Sequence, residues 1–123
     1  MNVTEFTAAL YNGKRDIDAA FVEYDARIHE DAEADDIARR EKAKAYLRAR
    51  ETMTGKPTVD EVRAWVDLET SIVQRQARLA EGLKRSAGMA VDAKKQWLSA
   101  LQSLASLTKA EAQLAKWEPS EVA

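Results

Sequence analysis

The sequence predicts an all-α protein: a long antiparallel helical hairpin, coiled-coil-like and assembled into an oligomeric bundle. Three observations support this prediction. Ala, Glu, Lys, Leu and Arg make up about half of the 123 residues, a composition typical of long helices and coiled coils. Apolar residues recur at steps of three, four or seven over residues 58–117. A turn at residues 54–57, which contains Gly55 and Pro57, separates two long helical patterns.

The first helix is expected over about residues 3–53. Asn2 and Glu5 form a capping box at its start, and Met1 is positioned to pack on Phe6. Residues 12–13, Asn-Gly, are either a helix break or an ordinary helical stretch, because Gly tolerates the left-handed conformation of a C-cap. Beyond them the apolar pattern resumes with Ile17, Phe21, Tyr24 and Ile28.

The second helix is expected over about residues 58–117, in one helical domain spanning residues 1–123. Thr58 and Glu61 form its capping box, and Pro119 ends it. One face of this helix is apolar almost throughout. The residues that form this face are Val62, Trp65, Leu68, Ile72, Leu79 and Leu83, followed by Trp97, Leu98, Leu101, Leu104, Leu107 and Leu114.

Charge patterning independently predicts the hairpin. Folding the chain back about Lys56 places oppositely charged blocks side by side. The acidic block 30–36 then lies near Arg75, Arg78, Lys84 and Arg85. The basic block 39–50 lies near Asp60, Glu61, Asp67 and Glu69, while Asp16 and Asp18 lie near Lys94 and Lys95. The same register places Tyr24 opposite Gly88, where a ring can lie against bare backbone.

The scarcity of large apolar residues predicts assembly with other copies. Leu, Ile, Val and Phe form only about a fifth of the chain, too few for a thick core, so a lone hairpin has marginal burial. Residues 97–107 interleave large apolar side chains with Ala and Ser, which let helices approach closely. The predicted homo-oligomer contact is therefore Trp97, Leu98, Leu101, Leu104 and Leu107. The alternative is that these residues pack on Phe6, Leu10 and Ile17 of the same chain.

No residue pattern indicates catalysis, and we expect neither a cofactor, a metal nor a small-molecule substrate. The chain has no Cys, and His29 lacks the Glu-x-x-His motifs of carboxylate-bridged metal sites. It also lacks a glycine-rich phosphate loop. The longest uncharged run, 96–108, is too short to span a membrane, and residues 1–10 do not have the pattern of a signal peptide. The expected location is the cytoplasm, bacterial or host.

A basic segment, residues 39–50, is the candidate nucleic-acid site. Arg39, Lys42, Tyr46 and Arg50 lie on one stripe of the helix, and a ring flanked by cations suits single strands. Bases stack on such a ring while the cations bind phosphates. The alternative is that the cations serve intramolecular ion pairs and that Tyr46 covers Trp65 across the hairpin.

The chain also resembles small helical proteins of tailed bacteriophages, including the recombination mediators called UvsY. The resemblance rests on Lys42-Ala43-Lys44-Ala45-Tyr46-Leu47, on the turn at Gly55 and on the segment 97–104. It implies a ring-like oligomer that binds single-stranded DNA and helps load a recombinase. It also implies that Lys42, Lys44, Tyr46 and Arg48 contact DNA, and that residues 97–107 form the oligomer contact.

Two other functions remain open from the sequence. One is a structural or assembly protein, such as a phage scaffold, a chaperone or a coiled-coil adaptor. The other is a small acidic inhibitor that presents Asp31, Asp35 and Asp36 to a basic host protein. A recombination accessory protein acting by binding is the first prediction, since the resemblance favours it.

Overall fold

The computed structural model describes residues 2–117, apart from the side chain of Trp117. Over this range the chain forms three helices, α1 (Val3–Thr52), α2 (Val59–Glu69) and α3 (Ser71–Trp117). The long helices α1 and α3 pack against each other. The predicted all-α, hairpin-like fold is therefore confirmed, while its oligomeric assembly stays a prediction. The expected roles of Met1 and Pro119 lie outside the described residues.

Helix α1 begins at the capping box that the sequence predicts. The Glu5 backbone N–H donates to Asn2 Oδ1 over 2.8 Å, and the Asn2 backbone N–H donates to Glu5 Oε2 over 3.0 Å. The helix then continues through Gly13 without a break. Gly13 is buried, and a Cβ built there would lie 2.9 Å from Leu98 Cδ1 and 3.2 Å from Trp97 Cζ3. The glycine thus serves close packing of α3 on α1, not a helix end.

The turn between α1 and α2 follows the predicted chemistry. Gly55 has a φ of 84°, which a residue with a Cβ rarely adopts. Thr58 is the N-cap of α2, and its hydroxyl accepts a hydrogen bond from the Glu61 backbone N–H over 3.2 Å. Pro57, one residue earlier, has no N–H to continue a helix.

The expected continuous helix over 58–117 is interrupted at Thr70. The buried Thr70 hydroxyl donates to the Val66 carbonyl over 2.8 Å and accepts from Gln74 Nε2 over 2.7 Å. The Thr70 backbone, with φ −104° and ψ 13°, departs from helical geometry and makes Thr70 the C-cap of α2. Backbone bonds from Thr70 N to Val66 O and from Gln74 N to Thr70 O keep the helical spacing across it.

Contacts between the helices group the chain into two units. The turn unit, Glu23–Gly88, has a core of small side chains: Ala45, Ala49 and Val66 are fully or almost fully buried. Tyr46, Met53, Val62 and Trp65 pack around this core. Small residues at a helix seam let the two helices approach closely, so the core is narrow and leaves most large side chains outside it.

The terminal unit contains Met1–Val22 and Met89–Ala123. Its buried apolar residues are Phe6, Val91 and Leu101. Lys95 Nζ lies 4.8 Å from the centre of the Phe21 ring, a cation–π contact that shields one ring face.

Candidate interaction surfaces

The cations of the basic segment are all exposed. Arg39 Nε lies 3.0 Å from Asp35 Oδ2, and Lys44 Nζ lies 3.4 Å from Glu41 Oε1. Within residues 2–117, no salt bridge engages Lys42, Arg48 or Arg50. These three side chains are free to meet an anion in solution.

Tyr46 has a different environment from the cations beside it. Its ring is half-buried and packs around the Ala45, Ala49 and Val66 core, as does Trp65. A ring held in this way offers a stacking surface only on its exposed side. The intramolecular alternative for Tyr46 therefore has direct support, while its role in binding nucleic acid stays a prediction.

The acidic block is largely paired with cations. Asp31 Oδ2 accepts a hydrogen bond from Lys84 Nζ over 2.8 Å, which joins α1 to α3 as the predicted register requires. This bond to Asp31 raises the pKa of Lys84 above its ordinary value. Asp35 and Asp36 pair with the cations four residues ahead of them, Arg39 and Arg40. The three carboxylates that an inhibitor would present therefore each have a cationic partner within the chain.

The predicted oligomer contact is divided between the inside and the outside of the terminal unit. Leu101 is buried, 7% exposed, and Leu98 is half-buried against Gly13. Trp97, Leu104 and Leu107 remain exposed, with Trp97 at 56%. Leu98 and Leu101 therefore pack within the chain, and Trp97 lies partly against Gly13. Contact of the exposed residues with another copy stays a prediction.

The sequence pattern did not identify which part of the apolar face of α2 and α3 stays exposed. Leu68, Ile72 and Leu79 are 75%, 71% and 63% exposed, and Leu83 is exposed as well. We call these four residues the outer apolar stripe. The prediction gave most weight to large side chains, whereas Ala45, Ala49 and Val66 form the seam of this unit. The spacing of the small residues was the signal that could have identified the buried face.

Two grooves lie in the terminal unit, between the start of α1 and α3. One, of about 280 Å³, is lined by Gly13, Asp16, Ala93, Lys94 and Trp97. Asp16 and Lys94 thus lie near each other, as the charge pattern predicts. The larger groove, about 420 Å³, is almost wholly apolar, and its lining includes Val3, Phe6, Leu10, Ala105 and Ala112.

Potential metal ligands are scattered over the described part of the chain. Between residues 2 and 117, no three His, Asp or Glu side chains come together in a way that could hold a metal ion. His29 Nε2 lies 3.6 Å from Asp25 Oδ2, with both side chains exposed. None of α1, α2 and α3 combines the length and apolarity that crossing a membrane requires.

Known proteins give no further guide to these surfaces. No protein-family model, curated protein or solved structure matches this chain. The resemblance to phage recombination mediators therefore stays a hypothesis.

Proposed function

We propose that this protein works by self-assembly, as a structural or assembly protein whose role is performed by an oligomer and not by catalysis. The observation that carries this proposal is the inverted distribution of apolar side chains in the turn unit. Alanines and Val66 fill the seam between the helices, while Leu68, Ile72, Leu79 and Leu83 face outward. Large exposed apolar patches mark interaction sites in soluble proteins.

The exposed area supports the same proposal. The chain exposes 9666 Å², whereas a compact monomer of 13.7 kDa exposes about 6,600 Å². The surplus is about 3,000 Å² per chain, more than the roughly 1,000–2,500 Å² that each partner buries in an obligate homodimer. Association of copies removes part of this surface from water, which favours the assembled state.

The test is the solution mass of the whole chain over a wide concentration range, measured by sedimentation velocity. Self-assembly predicts a mass above 13.7 kDa that rises with concentration. Ile72→Ser should lower the mass, because it places a polar group on the outer apolar stripe. Val22→Ser is the matched control, since Val22 is equally exposed but lies among Asp18, Asp25 and other polar neighbours on α1. A wild-type chain that stays monomeric at every concentration would refute the proposal.

A second candidate function is binding of single-stranded DNA by the basic segment, as in a recombination accessory protein with a recombinase partner. The observation that favours it is the set of exposed cations without ion-pair partners, Lys42, Arg48 and Arg50. Counterion release from the strand would drive such binding, so affinity should fall steeply as salt rises.

A labelled oligonucleotide separates this candidate from assembly alone. Fluorescence anisotropy should rise with protein at low salt and fall as salt is added. Reversing the charges at Arg39, Lys42 and Arg50 should abolish binding. The matched control reverses three exposed cations elsewhere, Arg15, Arg78 and Lys109, and changes the net charge equally. Equal loss in both triple variants would mean that only net charge matters, and would exclude a DNA site in the basic segment.

A further inference from the structure

One face of the α2–α3 segment in the turn unit carries a regular series of residues. Steps of four, three, four, three and four place them on the same side of the helix. An i to i−4 backbone bond is kept on each side of the boundary, from Thr70 N to Val66 O and from Gln74 N to Thr70 O, so α3 continues α2 with close to helical spacing. The series is Glu61, Trp65, Leu68, Ile72, Arg75 and Leu79.

The two charged residues of this series have no ion-pair partner within the described part of the chain. Neither the Glu61 carboxylate nor the Arg75 guanidinium makes a salt bridge in residues 2–117. Both side chains are exposed. They lie at equal distances along the helix from Leu68, one heptad before it and one heptad after it. The part of this face from Glu61 to Arg75 is therefore symmetric in spacing about Leu68 and opposite in charge at its two ends.

Such a face is complementary to a second copy of itself that runs in the opposite direction. With a two-fold axis at Leu68, Glu61 of one copy meets the partner's Arg75, and Arg75 meets the partner's Glu61. Trp65 then lies near the partner's Ile72, and the two Leu68 side chains meet at the axis. A parallel pair would place Glu61 on Glu61 and Arg75 on Arg75, which like-charge repulsion disfavours.

We propose that a second copy of this chain docks antiparallel on the α2–α3 face, with Leu68 at the two-fold axis and Glu61–Arg75 ion pairs at both ends. This inference rests on the proposed self-assembly and specifies its first contact. The interface is isologous, so the same patch closes a dimer and leaves the apolar residues of the terminal unit for further contacts.

Disulfide trapping tests the docking directly, because the natural chain contains no Cys. Leu68→Cys should form a covalent dimer on mild oxidation, since two equivalent residues at a two-fold axis come within disulfide range. Leu79→Cys is the matched control: Leu79 is also an exposed leucine of the same stripe, but in this register it lies about three turns from the axis and about six turns from its own copy. A mixture of Glu61→Cys and Arg75→Cys chains should cross-link more than either variant alone.

A charge exchange tests the same register without Cys. Arg75→Glu should weaken dimerisation about three- to tenfold, because two exposed ion pairs are lost and two repulsions appear. The double variant Glu61→Arg with Arg75→Glu should restore much of the affinity. Far-UV circular dichroism verifies that each variant keeps its helices.

The outcomes separate this inference from the proposed function. Efficient trapping of Leu68→Cys but not Leu79→Cys, with rescue by the charge exchange, supports the docking. If sedimentation shows oligomers while Leu79→Cys cross-links and Leu68→Cys does not, the register is wrong and self-assembly stands. If wild-type chain is monomeric throughout, both proposals fail.

Discussion

The ring of Tyr24 occupies the space that a side chain on Gly88 would fill. A Cβ built on Gly88 lies 2.7 Å from Tyr24 Cε2 and 3.4 Å from Tyr24 Cδ2. Real Cβ atoms do not approach other atoms so closely. The absence of a side chain at Gly88 therefore lets one edge of the tyrosine ring approach the backbone of α3 within the turn unit.

Gly88→Ala should destabilise the protein. Alanine gains about 0.5–1 kcal/mol of helix propensity, but its methyl group must displace a rigid ring at a cost of about 1–3 kcal/mol. We expect a net loss of about 1 kcal/mol in the free energy of unfolding, measured by urea denaturation. Gly82→Ala is the matched control, because Gly82 lies in the same helix with no atom within 4 Å of a built Cβ. It should stabilise by about 0.5–1 kcal/mol. Equal effects at the two sites would mean that the ring is not held against Gly88.

The Tyr24–Gly88 contact shows how far sequence could predict the fold. Folding the chain at its Gly- and Pro-containing turn placed Tyr24 opposite Gly88 and the acidic block 30–36 near Lys84. The structure has Tyr24 against Gly88 and Asp31 paired with Lys84. The turn fixes the register because the helices before and after it must run antiparallel. Register was predictable since it depends on position along the chain, not on the identity of the residues at the seam.

Removing a small buried side chain should cost more stability than removing a large exposed one. Val66 is fully buried against Ala45 and Ala49, whereas the neighbouring Leu68 is 75% exposed. Val66→Ala should lower the free energy of unfolding by about 2 kcal/mol, while Leu68→Ala should lower it by less than about 0.5 kcal/mol. Denaturation of the dilute chain measures both, at concentrations where self-association does not contribute. A larger loss for Leu68→Ala would mean that the stripe faces the core.

The contrast between the buried Val66 and the exposed Leu68 explains why the buried face was not predicted. A search for hydrophobic periodicity gives most weight to Leu and Ile. On α2 and α3 those residues form a helical stripe that differs from the buried face. Ala45 and Ala49 contribute little to such a measure, although their small size is what admits Val66 between them. The outer apolar stripe could be recognised as an exposed surface only from the structure, which shows which side of α2 and α3 packs on α1.

Because of the ion pair between Asp31 and Lys84, the free energy of unfolding should fall at high pH. The hydrogen bond to Asp31 raises the folded-state pKa of Lys84 above its ordinary value of 10.5. The contribution of the ion pair to the free energy of unfolding is therefore complete below pH 10.5. It is lost as pH rises through the higher folded-state pKa of Lys84. Lys84→Met should lower the urea midpoint at neutral pH, and its difference from wild type should shrink above pH 10.5. Lys56→Met, at an exposed position in the turn, should show no such trend. A difference that stays constant with pH would exclude a contribution from the charge of Lys84.

The hydrogen bonds of Thr70 should stabilise the α2–α3 boundary as a coupled pair. The buried hydroxyl accepts from Gln74 Nε2 while it donates to Val66 O, so the two bonds polarise each other. Thr70→Val keeps the side-chain shape and removes both bonds, and we expect a loss of about 1–2 kcal/mol. In a Gln74→Ala background the same substitution should cost about 0.5–1 kcal/mol less, because one of the bonds is already absent. Urea denaturation of the four chains closes this double-mutant cycle. Equal costs in the two backgrounds would show that the Gln74 bond adds nothing, and that only the bond to the Val66 carbonyl stabilises the boundary.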